Sequence, residues 1–84
     1  MTIEELKEVH KHSINNKLEI LNSKICGCFY CNKIFKSRKI CRWIQDENAT
    51  AICPYCFNDT VIGDVSGVKI TANFLNDMHD YWIR

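Results

Sequence analysis

Apolar residues recur along this chain at two different periods, and the change between them divides it. Ile3, Leu6 and Val9 or His10 share one face at helical spacing, while Glu4, Lys7, Glu8 and Lys11 point elsewhere. That pattern predicts an amphipathic helix from about Ile3. Thr2 followed by Glu5 is a capping-box pair, in which each side chain satisfies a free backbone N–H at the helix start. Ile14, Leu18, Leu21 and Ile25 continue the apolar spacing, so Ser13 either caps a second short helix, the favoured reading, or sits inside one longer helix. From Ile25 onward the helical period gives way to short apolar pieces, Ile34-Phe35, Ile40, Trp43-Ile44 and Ala51-Ile52, which suit strands. Gln45-Asp46-Glu47-Asn48 reads as a hairpin tip. Val61-Ile62 and Val68-Lys69-Ile70 predict a second, smaller hairpin across a type I turn at Asp64 to Gly67. Thr71 then caps a terminal helix whose Phe74, Leu75, Met78, Tyr81 and Trp82 form the main core stripe.

Composition narrows the reading. With 84 residues, 46% of them hydrophobic and only one proline and three glycines, the chain is expected to fold as one domain, residues 1–84. A core of this size barely outweighs conformational entropy, and small domains often add disulfides or a metal. Six cysteines point to one of these aids. The first residues, Met1-Thr2-Ile3-Glu4-Glu5-Leu6-Lys7-Glu8, carry charge early and lack a leader-like apolar run, and no segment is long and apolar enough for a membrane span. A cytoplasmic location follows as an expectation, and in that reducing setting paired cysteines read as metal ligands before disulfides.

The strongest signal is a pair of CxxC motifs, Cys28-Phe29-Tyr30-Cys31 and Cys53-Pro54-Tyr55-Cys56, with twenty-one residues between them. Two intervening residues allow a tight turn that aims both sulfurs at one ion, and two such turns supply the tetrahedral four that Zn²⁺ prefers. The expected ligands of one structural Zn²⁺ are therefore Cys28, Cys31, Cys53 and Cys56. Cys26 could stand in for Cys28, although a single intervening residue is a less usual spacing. Cys41 lies in an apolar pattern and reads as a small buried hydrophobe. His10, His12 and His79 are ligands in principle, but a complete set of four thiolates makes them unnecessary.

Catalytic readings fare less well. Cys-Pro-Tyr-Cys is also the active-site tetrapeptide of glutaredoxins, which would make the chain a dithiol redox protein. In that fold a helix begins at the motif, whereas Phe57 to Gly63 reads as turn and strand, and only 28 residues follow Cys56. A nuclease of the HNH type would draw on Asp59, Asp64 and His79, yet no histidine lies between Cys31 and the terminal helix to act as base. There is no phosphate-binding glycine loop, Ser/His/Asp arrangement or HExxH. No enzymatic activity is expected.

At Cys26-Gly27-Cys28-Phe29-Tyr30-Cys31, Trp43, Ala51-Ile52-Cys53-Pro54-Tyr55-Cys56, Asp59-Thr60-Val61-Ile62-Gly63, Ser66-Gly67 and Ile70 to Trp82, the chain resembles a family of short, uncharacterised bacterial cytoplasmic proteins of zinc-ribbon type. The resemblance spans about residues 12–84 and implies a fold and a compartment, with no activity to carry over. Two positions depart from that pattern: Phe57, where glycine commonly follows a knuckle, and Cys41, where an acidic residue is usual. The fold class expected is small α+β, a zinc-ribbon-like β-hairpin core with an N-terminal helical segment and a C-terminal amphipathic helix. A structural-zinc module that contacts another protein is the first functional expectation. The alternative is a nucleic-acid-binding module, because Lys24, Lys33, Lys36, Arg38, Lys39 and Arg42 fall between residues 20 and 45 without an Asp or Glu, and Phe29, Tyr30, Phe35 and Trp43 interleave them. Against it, the formal net charge is only +1, and four thiolates with Zn²⁺ would bring that to about −1.

Overall fold

The capping box at the start of the chain forms as the sequence predicts. In a computed structural model, which describes residues 1–83, the Thr2 hydroxyl accepts from the Glu5 N–H, and the Glu5 carboxylate accepts from the Thr2 N–H. Helix α1 (Ile3–His10) follows, burying Leu6 and Val9 and leaving Ile3 exposed. A 3₁₀ turn (Lys11–Ser13) leads to α2 (Lys17–Asn22).

The second helix departs from the expectation. Ser13 does not cap it; its hydroxyl is buried and donates to the His10 carbonyl. Asn16 takes the cap position, and its side chain is spent on tertiary bonds. Its Nδ2 donates to the carbonyls of His12 and Val61, and its Oδ1 accepts from the Ala51 N–H. One buried amide therefore ties the helical segment to two strands, and the helix is rotated to suit it. Ile20 is the residue α2 buries, while Ile14, Leu18 and Leu21 of the predicted apolar stripe face solvent.

Strands β1 (Ile25–Cys28), β2 (Ile34–Lys36) and β5 (Val61–Gly63) form an antiparallel sheet in the order β2-β1-β5, and β3 (Trp43–Ile44) pairs with β4 (Thr50–Ala51) in a separate hairpin. The hairpin tip lies where the polar run at 45–48 predicts it. The smaller hairpin does not form. Val61 and Ile62 pair with Cys28 and Gly27 of β1, and Val68 to Ile70 is irregular. One local hydrogen bond and two long-range ones explain the change. The Gly67 N–H closes the turn on the Asp64 carbonyl with Gly67 at φ +93°, and the Asp64 carboxylate accepts from the Lys24 and Ile25 N–H groups. The turn thus docks on the entry to β1, and Ile70 is carried over the sheet to meet Gly27.

Strand alternation splits the interior into two layers. Cys26, Cys28, Phe35 and Val61 face Ile20, Ile40, Ala51 and Cys53 on one side, as the period of two requires. Ile62 and Phe29 join Leu6, Val9, Phe74, Leu75 and Met78 on the other. There α3 (Ala72–Trp82), capped by the Thr71 hydroxyl, lies so close to β1 that a Cβ on Gly27 would come within 2.8 Å of Ile70 and 2.9 Å of Leu75. Among the described residues no helix is long and apolar enough to cross a membrane. The result is a small α+β fold with antiparallel strands, three α-helices and the two CxxC turns at one end of the sheet.

Candidate metal centre

Each CxxC motif sits in a turn that leaves a strand or returns to one, and the two turns are built alike. In the first, the Asn32 N–H donates to the Cys28 carbonyl at 2.8 Å and the Cys28 N–H donates to the Lys33 carbonyl at 3.0 Å. In the second, the Phe57 N–H donates to the Cys53 carbonyl at 3.0 Å and the Cys53 N–H to the Asn58 carbonyl at 2.9 Å. The residue after each motif is left-handed, Asn32 at φ +62° and Phe57 at φ +65°. In both, the N–H two residues beyond the first cysteine points at its sulfur: Tyr30 N to Cys28 Sγ and Tyr55 N to Cys53 Sγ, each 3.4 Å. Equivalent turns aim equivalent sulfurs at one point.

The four sulfurs of Cys28, Cys31, Cys53 and Cys56 lie within 4.8 Å of one another. Cys28 Sγ is 3.6 Å from Cys56 Sγ, and Cys31 Sγ is 3.8 Å from Cys53 Sγ. A disulfide is about 2.05 Å long, so these are non-bonded pairs, and all six cysteines are free. A tetrahedral ion with bonds of about 2.3 Å to sulfur has edges of about 3.8 Å between sulfurs. These two pairs match that edge and the whole set lies within 4.8 Å, so the four residues could hold a metal ion in tetrahedral thiolate coordination.

The surroundings suit thiolates. The Thr60 hydroxyl lies 3.0 Å from Cys28 Sγ, and the Asn58 side-chain amide donates to Cys56 Sγ at 3.4 Å. With the Tyr30 and Tyr55 backbone donors, hydrogen bonds reach the sulfurs of Cys28, Cys53 and Cys56. Without an ion the site is costly to ionise: burial pushes the Cys28 and Cys53 thiols up. For Cys56, burial alone would raise the thiol, but the Asn58 amide and backbone and the neighbouring sulfurs outweigh it and bring it down. A bound dication resolves this conflict by supplying the charge that burial withholds.

Cys26 points to the same side of β1 as Cys28 but lies outside the group, enclosed in the core, where burial first and the Asp64 charge second push its thiol up to about 12. Cys41 corrects the sequence reading. It is exposed, because residues 40–42 run irregularly between the 3₁₀ turn Ser37–Lys39 and β3, with Ile40 turned inward instead. The three histidines are occupied elsewhere: His10 stacks on Trp82 at 3.9 Å, His12 Nδ1 pairs with the Glu19 carboxylate at 2.9 Å, and His79 Nδ1 bonds to the Phe29 carbonyl inside the first CxxC turn. Thr60, Asn58 and His79, which hold the sulfurs or their turn, carry no spacing signal in the sequence.

The aromatic residues of the basic stretch divide. Phe29 and Phe35 are buried core residues and Trp43 is half-buried, leaving Tyr30 exposed. The motif Cys53-Pro54-Tyr55-Cys56 opens no helix: residues 54–56 form a turn and the chain continues to β5. Compared with protein families, with curated proteins and with solved structures, the chain finds no match.

Proposed function

We propose that the chain is a small zinc-binding module in which the metal is structural and clamps the two CxxC turns. The observation that carries this reading is the sulfur tetrad, four thiols from two equivalent turns at the spacing a tetrahedral thiolate site needs. Thiolate-only coordination in a tetrahedron favours Zn²⁺ over the hard, oxygen-preferring dications. Four protein ligands fill the coordination sphere, with Cys28 and Cys53 fully buried. A site without an open position for water or substrate serves folding and not Lewis-acid chemistry.

The dithiol redox reading is weaker on the same geometry. A reactive cysteine needs a lowered pKa, often from a helix N-terminus, and Cys53 has neither: burial raises it, and a turn follows it.

Cobalt(II) substitution tests the coordination. Exchanged into the purified protein, it should give the strong visible absorption of tetrahedral cobalt with sulfur-to-metal charge transfer at shorter wavelength, and Cys28→Ser should abolish both bands. A weak octahedral spectrum, or one unchanged by Cys28→Ser, contradicts the assignment.

A further inference from the structure

The two CxxC turns are equivalent towards the metal but unlike on their outer surfaces. After the first motif the left-handed position is Asn32, a residue type that tolerates that conformation. After the second it is Phe57, a residue 61% exposed. A left-handed backbone costs a residue with a Cβ roughly 1–2 kcal/mol, and an exposed ring regains little of that by packing. Strain held at one position of an otherwise repeated turn is a pointer to use.

What surrounds Phe57 gives the use a chemistry. The Arg42 guanidinium lies over the Phe57 ring at 5.5 Å. On the same turn, Tyr55 is 48% exposed, with the Lys33 ammonium over its ring at 5.3 Å. Trp43, next to Arg42 in the chain, carries the Lys17 ammonium at 5.4 Å. The Ile52 N–H donates to the Arg42 carbonyl, which fixes the Arg42-Trp43 segment beside the second turn. Two exposed rings, each with its own cation, therefore lie on the outside of the second CxxC turn, and half-buried Trp43, packed on the core, brings a third cation, Lys17, on the adjoining hairpin. Between Trp43 and Gly63 the carboxylates are Asp46 and Glu47 at the hairpin tip and Asp59.

We infer that this surface binds single-stranded nucleic acid, with bases stacking on Phe57 and Tyr55 and the backbone phosphates running past Arg42, Lys33 and Lys17. The inference rests on the zinc-module reading, because the clamp sets the position of the second turn. It also replaces part of the sequence-based alternative, since Phe29 and Phe35 are interior and the stacking rings come from the turn at 53–57. Alternating rings and cations suit an unpaired strand, whose bases offer both π-faces and whose phosphates offer charge. A duplex hides those faces, and an acidic peptide would use the cations and leave the rings idle.

The test is fluorescence anisotropy of the zinc-loaded full chain with a labelled mixed-sequence single strand of twelve nucleotides, the matching duplex, and an oligoglutamate peptide. Binding to the single strand should exceed that to the other two. With about three phosphates engaged, its affinity should fall roughly 20-fold between 50 and 200 mM salt. Phe57→Gly relieves the backbone strain, so it keeps the fold and the metal, and it should weaken single-strand binding at least about 5-fold, as should Tyr55→Ala. Lys33→Glu with Arg42→Glu should abolish it.

Preference for the duplex or the peptide, absence of single-strand binding at low salt, or a folded Phe57→Gly variant that binds as wild type overturns the inference. Zinc content measured on each sample separates the two readings. A protein with one zinc and no binding fails the inference alone, and a zinc-free protein fails the module reading.

Discussion

Phe57 offers a test in which the expected sign runs opposite to the usual one. In ordinary backbone, glycine is less stable than alanine by roughly 0.5–1 kcal/mol, because the unfolded chain gains freedom. At φ +65° alanine carries the left-handed penalty of roughly 1–2 kcal/mol that glycine escapes. Subtracting the entropy term from the relieved strain leaves Phe57→Gly more stable than Phe57→Ala by about 0–1.5 kcal/mol, and the middle of that range corresponds to a few degrees in melting temperature for a domain of this size. Comparing the two variants with each other cancels the lost ring and its contact with Arg42. The assay is thermal unfolding by circular dichroism at a fixed excess of zinc, since metal binding itself raises the midpoint. A Phe57→Gly variant that melts below Phe57→Ala refutes the left-handed conformation at this turn.

Further outcomes follow from the same geometry. Cys28→Ser and Cys56→Ser should each prevent stable folding, because structural zinc contributes roughly 10–16 kcal/mol of apparent binding energy in small peptides, whereas exposed Cys41→Ser should change stability by no more than about 0.5 kcal/mol; urea unfolding checks both. Thr60→Val removes the hydroxyl 3.0 Å from Cys28 Sγ at nearly constant shape, and competition with a chromogenic chelator should show zinc affinity lowered about 10- to 100-fold. Cys26 sets an alkaline limit: its thiol is raised from about 9 to about 12 by burial and then by Asp64, so the fold favours the protonated form. That contribution is intact below pH 9 and is lost as pH rises towards 12. Unfolding midpoints of the zinc-loaded protein between pH 8 and 10.5 should therefore fall more steeply for wild type than for Cys26→Ala.

How much of this was readable in the sequence depends on the range of each interaction. The Thr2-Glu5 box and the Thr71 cap are decided within one helical turn, and both form. The cysteine spacing is legible for a similar reason, because each pair closes its own turn through Cys28 with Asn32 and Cys53 with Phe57. Elements settled at a distance were not legible. Leu18 and Leu21 face solvent because Asn16 is held by Val61 and Ala51, residues far along the chain. Val61-Ile62 pairs with β1 and not with Val68 to Ile70 because Asp64 reaches the N–H groups at 24 and 25. Cys41 followed an apolar neighbourhood in sequence, but the irregular chain at 40–42 buries Ile40 alone. The resemblance-based expectation about Phe57 met a left-handed residue there, which glycine adopts without penalty.

The central claim is that one metal ion holds the two CxxC turns together and that the fold depends on it. Elemental analysis of the purified protein, followed by circular dichroism before and after exhaustive chelation, addresses it most directly. One zinc per chain, with loss of the folded spectrum on chelation and its return on adding zinc, is the predicted result. A chain that carries no metal, or one that keeps its spectrum and its cooperative melt once the metal is gone, contradicts the account.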